Sequence, residues 1–154
     1  AIDGRGFGES TKRADGSRIA VSQSNEAVMG MKSDVAAAVK FLGEQKNVDK
    51  SKIGIVGASY GSSLAIIYAS ENPEIKTVAL LSPGTNYFGN LPIEPAMEKY
   101  GARPVLIVAA EDDAESATAS RKLDKLAAGG KHQLQIYSKG GHGTGIFAAG
   151  VGLE

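Results

Sequence analysis

The chemistry in this sequence rests on a serine and a histidine that each lie between glycines, and on a pair of aspartates. Ser59 lies at the centre of GASYG, His142 lies in GGHG, and Asp112 and Asp113 follow an apolar stretch. A serine hydroxyl is a weak nucleophile until a base accepts its proton, and an imidazole base needs a carboxylate to orient it. These residue types predict a nucleophile, its general base and an orienting acid.

The surroundings of Ser59 favour a nucleophile on a sharp turn. An apolar stretch at 52–56 predicts a strand just before GASYG, and the apolar residues 62–70 predict a helix just after it. The motif G-x-S-x-G marks a strand-to-helix turn that raises the serine hydroxyl above the sheet. We expect small residues to be needed on either side of the serine because the backbone folds back closely on itself. The start of the following helix favours developing negative charge.

The base and the acid follow other predicted strands. His142 comes after the strand predicted at 133–137, at the end of a parallel strand where α/β folds place their sites. His132, the other histidine, is interpreted as a surface residue. We take Asp113, after the strand predicted at 104–110, as the acid. Asp112 remains the alternative, because one residue of loop register decides between them, and we expect the remaining acids of that loop to cap the next helix.

Helices and strands alternate along the chain, which predicts an α/β fold. Strands are predicted at 52–56, 76–81, 104–110 and 133–137, and helices at 25–45, 62–70, 115–128 and 145–150, with one or two helical turns near 94–100. The strands at 76–81 and 104–110 are near-continuous apolar runs, as in a parallel sheet with helices on both faces. We therefore expect a mostly parallel sheet of about four strands flanked by helices.

Composition excludes several other classes of function. The 154 residues contain no cysteine, which excludes thiolate catalysis and metal sites built from cysteine. The two histidines lack the spacing of metal ligands, so a zinc site is improbable. Lys and Arg total 17 and Asp and Glu total 17, a balance that argues against nucleic-acid binding. No apolar stretch approaches the roughly 20 residues of a membrane span. No phosphate-binding glycine motif is present, so nucleotide binding is unsupported.

The order of Ser59, Asp113 and His142, each after a strand, resembles the α/β-hydrolase superfamily. The opening DGRGFGES is similar to the segment after that family's fourth strand. The stretch PVLIVAAEDD is similar to the strand that delivers the family's acid, and GGHG is similar to its histidine loop. The resemblance implies hydrolysis of an ester or related acyl bond through an acyl-enzyme on Ser59. It also implies an oxyanion hole that uses the backbone N–H of Tyr60, a small-molecule ester substrate and no cofactor or metal.

The chain departs from that family at its beginning. The resemblance starts near the end of the fourth strand, which suggests that residues 1–154 are a single partial domain and that residues 1–2 end a strand. No stretch matches the loop that gives the family's second oxyanion N–H. The strand between Lys52 and Val56 then lies at an exposed apolar edge, so we expect self-association or pairing with a missing N-terminal segment there. The final Leu153 and Glu154 resemble an expression-vector scar.

Three functions are compatible with these residues. The first is a serine esterase for small carboxylic esters, because the short connection at 83–103 leaves little room for a large lid. The second is a peptidase, since the Ser-Tyr-Gly sequence resembles the elbow of prolyl-oligopeptidase-like enzymes. The third is a catalytically silent assembly module. Several apolar side chains could line an acyl pocket, although packing in the core or rim is favoured for each: Tyr87, Phe88, Met97, Tyr100 and Phe147.

Overall fold

A computed structural model describes residues 1–22, 24–127 and 129–152 of the chain. Its contacts divide into two compact units, Ala1–Val48 and Asp49–Glu154. The residues singled out for chemistry all lie in the second unit. That the whole chain forms one partial hydrolase domain stays a prediction, and the suggested scar at Leu153 and Glu154 lies outside the described residues.

The first unit is dominated by one helix, α1 (Asn25–Glu44). The Ser24 hydroxyl accepts the Ala27 N–H at 3.3 Å, which satisfies one of the unpaired donors at the helix start. The helix predicted at 25–45 is found one residue shorter. Val28 and Met31 of the predicted apolar stripe are buried, but Leu42 is 40% exposed. The apolar stripe therefore faces a core only over its first turns.

The opening segment of the first unit is a turn. Residues 1–2 form no strand, so that prediction is wrong for this structure. Instead the Arg5 guanidinium donates to the Asp34 carboxylate at 2.8 Å, and the Arg5 backbone N–H donates to the same carboxylate at 3.0 Å. This ion pair fastens the opening turn to α1.

The second unit alternates strands and helices. In chain order these are β1 (Gly54–Ala58), α2 (Tyr60–Glu71), β2 (Thr77–Leu81), β3 (Asn86–Tyr87), β4 (Leu91–Pro92), α3 (Glu94–Tyr100), β5 (Val105–Ala110), α4 (Ala114–Leu126), β6 (His132–Tyr137) and α5 (Gly145–Ala148). β1, β2, β5 and β6 form a parallel sheet in that order. The predicted α/β class, with a four-stranded parallel sheet, is confirmed.

The bounds of β1 and α2 differ most from those predicted. β1 begins two residues later than the predicted 52–56 because Lys50–Lys52 form a 3-10 helix. The Asp49 carboxylate starts that helix by accepting the Ser51 N–H at 2.9 Å. At its other end β1 continues to Ala58, and α2 starts at Tyr60 instead of at residue 62. Only Ser59 separates strand from helix, which makes the turn sharper than expected.

The last two helices also end earlier than predicted. α4 ends at Leu126 and not at residue 128, which lies outside the described residues, and α5 ends at Ala148 and not at residue 150. Gly150 has a φ of 62°, a left-handed conformation that ends a helix.

Three helices pack against one face of the sheet. α2 packs on β1 and β2, α4 packs on β5 and β6, and α3 packs against both helices. Residues of the two central strands on this face are buried, including Leu80 and Ile107. On the other face, Ile146 of α5 packs on Leu81 and Val108 near the carboxyl ends of the strands. No helix of the described residues is long and apolar enough to cross a membrane.

The connection between β2 and β5 contains a hairpin that the sequence analysis did not predict. β3 and β4 pair as a two-stranded antiparallel ribbon, with Tyr87 opposite Leu91. The helical turns expected near 94–100 are present as α3. The turn of the hairpin carries Phe88 and Gly89, both at positive φ (57° and 73°).

Candidate active site

Ser59 lies on the sharp turn between β1 and α2. Its backbone has φ 56° and ψ −132°, a conformation that non-glycine residues adopt rarely. The Ser59 N–H donates to the Leu81 carbonyl at 2.8 Å, which extends the β1–β2 ladder up to this residue. The turn therefore fixes the serine backbone firmly at the carboxyl end of the sheet.

The two glycines that flank Ser59 are not equally required. A Cβ added to Gly57 would lie 2.1 Å from the Gly61 carbonyl oxygen, so no side chain fits there. A Cβ added to Gly61 would meet nothing within 4 Å. The expected close approach of the backbone is thus present at Gly57, whereas Gly61 has open space for a Cβ.

The structure brings Ser59, His142 and Asp113 together. His142 Nε2 lies 2.7 Å from Ser59 Oγ, and His142 Nδ1 lies 2.6 Å from Asp113 Oδ2. The side chain of His142 is 48% exposed and that of Asp113 is 15% exposed. An imidazole that links a hydroxyl to a mostly buried carboxylate can accept the hydroxyl proton. It remains oriented by the carboxylate while it is charged.

Asp113 occupies the position before the first residue of α4 but does not cap the helix with its side chain. Burial by itself raises the pKa of Asp113, but hydrogen bonding from Ser116 and from His142 outweighs burial and holds the pKa below its ordinary value. The carboxylate is therefore ionised at neutral pH and faces the imidazole as an anion.

Asp112, the alternative acid, has a different partner. Its Oδ1 accepts the Gly140 N–H at 3.1 Å and the Gly141 N–H at 3.0 Å. These contacts hold the backbone of the histidine loop immediately before His142. Glu111 forms an ion pair with Arg121 of α4. The expectation that Asp112 and Glu111 cap α4 is therefore wrong. Asp112 holds the histidine loop instead, and Glu111 pairs with Arg121.

Ser82 also holds this loop, at Gly143, and was not among the residues predicted from the sequence. Its Oγ accepts the Gly143 N–H at 2.8 Å, and its own N–H donates to the Val108 carbonyl at 2.7 Å. Ser82 is fully buried and has a φ of 47°. The only sequence signal was a lone hydroxyl residue at the end of an apolar strand, which does not identify a partner 61 residues away.

Tyr60 supplies the first backbone N–H of α2. The first N–H groups of a helix have no acceptor within the helix, and they carry its positive dipole end. An N–H at this position, one residue after Ser59, suits an oxyanion formed by attack of the serine. The Tyr60 ring packs at a tilt against the Phe88 ring with centroids 5.7 Å apart, and burial raises the pKa of its phenol.

The remaining candidates differ in burial and in the residues that they contact. His132 Nε2 lies 3.4 Å from Asp124 Oδ1, within the β6 and α4 region. Met97 and Tyr100 are buried core residues, whereas Phe88 and Phe147 are 40% and 44% exposed. In the part of the chain that the structure describes, no three acidic or histidine side chains form a group that could hold a metal ion.

A family model matches nearly the whole chain. The model of the dienelactone hydrolase family covers residues 4–149. Two uncharacterized proteins of Mycobacterium tuberculosis strains are each 27% identical over 141 residues, which is 81% of this chain and 50% of each relative. The chain thus spans about half the length of the curated relatives it matches.

Solved structures with this fold include esterases and peptidases. A dienelactone hydrolase from Anabaena variabilis has a TM-score of 0.64 at 18% identity, over 79% of this chain and 56% of that one. An acetyl xylan esterase from Thermoanaerobacterium has a TM-score of 0.59 at 15% identity, over 73% and 47%. A Pyrococcus horikoshii acylaminoacyl peptidase has a TM-score of 0.62 at 16% identity, over 80% and 25%. At these identities the likeness shows a shared α/β-hydrolase fold.

Proposed function

Because the chain belongs to the dienelactone hydrolase family, we propose that it hydrolyses small carboxylic esters through an acyl-enzyme on Ser59. A lactone is a cyclic ester, so the family name supports this bond type. The observation that carries the proposal is the pair of contacts made by His142, at 2.7 Å to Ser59 Oγ and 2.6 Å to Asp113 Oδ2. The fold and the strained serine turn support the same chemistry.

In the first half-reaction Ser59 Oγ attacks the ester carbonyl carbon while its proton moves to His142 Nε2. With its other proton on Nδ1, His142 donates to Asp113, whose negative charge stabilises the imidazolium that forms. The carbonyl oxygen becomes an oxyanion and accepts a hydrogen bond from the Tyr60 N–H. Collapse of the tetrahedral intermediate breaks the ester C–O bond, and the alcohol leaves with the proton from Nε2.

The second half-reaction repeats these steps with water. His142 Nε2 accepts a proton from a water molecule, whose oxygen attacks the acyl carbon on Ser59. The intermediate releases the carboxylic acid, and Ser59 Oγ regains its proton from Nε2. Every proton transfer uses a group of the chain or water, so the proposed reaction needs no cofactor and no metal.

The exposure of the cluster favours small, accessible substrates. Almost half of the His142 side chain is exposed, and the connection between β2 and β5 holds only a short two-stranded ribbon and the seven-residue helix α3. A long acyl chain needs a deep apolar channel to bury it, because the free energy of burial grows with apolar area. The proposed substrates are therefore short-chain soluble esters.

The test is covalent labelling of Ser59. A fluorophosphonate probe is incubated with the wild-type chain, with Ser59→Ala and with Ser138→Ala, a control that removes an exposed serine after β6. Intact-mass measurement is expected to show one adduct on the wild type and on Ser138→Ala, and none on Ser59→Ala. A folded wild-type sample without an adduct would contradict the proposal and favour a catalytically silent assembly module.

Amide hydrolysis is the second candidate, since the same three residues can cleave a peptide bond. The likeness in fold to an acylaminoacyl peptidase motivates it. Matched ester and amide substrates with the same acyl group separate the two candidates. We expect measurable turnover of the ester only, and preferred turnover of an N-acylaminoacyl amide would move the assignment to a peptidase.

A further inference from the structure

The hairpin between β2 and α3 places an aromatic residue where its turn disfavours one. The Asn90 N–H donates to the Tyr87 carbonyl at 3.3 Å across Phe88 and Gly89, whose φ angles are 57° and 73°. Two central residues with positive φ define a type I′ turn, in which glycine, asparagine and aspartate are preferred at both positions. Phe88 therefore adopts a left-handed backbone at a cost in conformational free energy.

Core burial does not offset that cost, because Phe88 remains 40% exposed. Its ring instead lies against two other rings, at 5.7 Å from the Tyr60 centroid and 6.3 Å from the Tyr87 centroid, tilted by 50° and 48°. These distances and tilts are typical of favourable aromatic pairs. Residues held in strained backbone conformations cluster at active sites and ligand-binding sites.

Both neighbours of Phe88 are attached to the catalytic cluster. Tyr60 directly follows Ser59 in the chain. The Tyr87 hydroxyl donates to the Ser82 carbonyl at 2.9 Å, and the Ser82 hydroxyl accepts the N–H of Gly143, next to His142. The aromatic cluster of Tyr60, Tyr87 and Phe88 is thus fixed beside the carboxyl ends of β1 and β2, where Ser59 lies.

We propose that Phe88 and Tyr60 form a subsite that binds an aromatic ring of the ester substrate, on either its acyl or its alcohol side. This inference rests on the proposed ester hydrolysis at Ser59. A substrate ring that packs on the exposed part of Phe88 extends the existing aromatic cluster by one member. The strain at Phe88 is then explained as the requirement for presenting its ring beside that of Tyr60, the residue after the nucleophile.

The subsite is tested with substrate pairs that differ only in aromaticity. Benzyl acetate and cyclohexylmethyl acetate probe the alcohol side, and ethyl phenylacetate and ethyl cyclohexylacetate probe the acyl side. The wild type is expected to prefer the aromatic member of one pair by about three- to tenfold in kcat/KM, the range that aromatic pairing allows. No preference in either pair would overturn the proposal.

The variants separate ring binding from folding. Phe88→Asn suits the left-handed position, so its thermal midpoint is expected to equal or exceed that of the wild type while the aromatic preference falls to about one. Phe88→Leu keeps apolar bulk and is also expected to lose the preference. The control Phe41→Leu removes a ring on α1 that is 62% exposed, and this variant is expected to keep the aromatic preference. A Phe88→Asn variant that retains the wild-type preference would overturn the subsite.

A binding measurement keeps this result independent of catalysis. The Ser59→Ala variant is titrated with each member of both substrate pairs, and the ring resonances of Phe88 are followed by NMR. We expect saturable shifts with an aromatic ester of at least one pair and with neither cyclohexyl ester. Shifts without fluorophosphonate labelling of the wild type would reject the hydrolase and retain the subsite, whereas labelling without shifts would reject the subsite and retain the hydrolase.

Discussion

The Asp112 carboxylate accepts the Gly140 N–H at 3.1 Å and thereby joins two loops that are 28 residues apart in the chain. Its neighbour Asp113 contacts His142 instead. Two adjacent acids thus have separate tasks, because the loop after β5 directs one side chain to the backbone of the histidine loop and the other to the imidazole. The arrangement makes the position of His142 depend on Asp112 without direct contact between them.

Asp112 is therefore expected to act as a positioning residue. Asp112→Ala removes both loop contacts and should lower kcat for a short ester by about tenfold with little change in KM, because the reacting groups are displaced. Asp112→Asn keeps an acceptor oxygen and should restore most of the rate. Glu111→Gln, which alters the adjacent acid, is the control. Faster hydrogen exchange at Gly140 and Gly141 should accompany the loss, and equal kcat in all variants would reject the role.

Asp113 is expected to matter far more for the rate. Asp113→Asn keeps the shape of the side chain but removes the charge that stabilises the imidazolium and fixes its tautomer, so kcat/KM should fall on the order of 10⁴-fold. Measuring ester turnover by Asp113→Asn and by Asp112→Asn under the same conditions compares the two neighbouring acids directly. If Asp112→Asn is the more severely impaired variant, the assignment of the acid must be reversed.

Ser82 is expected to contribute to stability as well as to loop position. Ser82→Ala leaves the Gly143 N–H without its acceptor in a buried place, which costs about 1–3 kcal/mol of unfolding free energy. Ser82→Gly also loses the hydroxyl but relieves the positive φ, so it should be less destabilising than Ser82→Ala. Urea unfolding measures both. Wild-type stability of Ser82→Ala would show that the contact is replaced by water.

The ion pair of the first unit predicts acid sensitivity. Burial raises the pKa of Asp34, but hydrogen bonds and charge from Arg5 outweigh burial and hold this pKa below its ordinary value. The carboxylate therefore stabilises the folded unit above its unfolded pKa of about 3.9, and this contribution is lost as the pH falls through the lower folded value. The Asp34→Asn variant should be less stable than the wild type near neutral pH. Its stability should also fall less than that of the wild type when the pH drops below about 4.

Hydrogen exchange of α1 amides between pH 5 and the acid limit measures this effect. Glu26→Gln, which changes an exposed acid on the same helix, is expected to keep the pH dependence of the wild type. If the hydrogen exchange of the Asp34→Asn variant changes with pH as in the wild type, other carboxylates control the acid-induced loss of stability.

The outer strand of the sheet predicts self-association. Among the described residues β1 pairs with β2 alone, and Val56 at its centre is 68% exposed. An apolar outer strand offers unpaired backbone groups to another chain. Val56→Lys should shift size-exclusion elution toward the monomer, whereas Val21→Lys, at a similarly exposed valine in the first unit, should not. A wild-type monomer at all accessible concentrations would contradict this expectation.

The sequence by itself determined the fold class and the elements that surround the site. Apolar runs ending at GASYG, at the acidic pair and before GGHG place three strand ends at one edge of a parallel sheet, because parallel strands share a direction. The dienelactone hydrolase match and the shared fold agree with that prediction. The chemical roles of Ser59, His142 and Asp113 stay predictions that labelling and mutation must test.

Only the tertiary structure decided which acid meets the imidazole, because one residue of rotation in a loop exchanges Asp112 for Asp113. It also showed Ser82 holding Gly143 and Phe88 lying against Tyr60. These contacts join residues far apart in the chain, and neither hydrophobic period nor local spacing encodes such pairs. The strain at Phe88 was likewise invisible in the sequence, since backbone φ follows from the turn that β3 and β4 impose and not from the residue type.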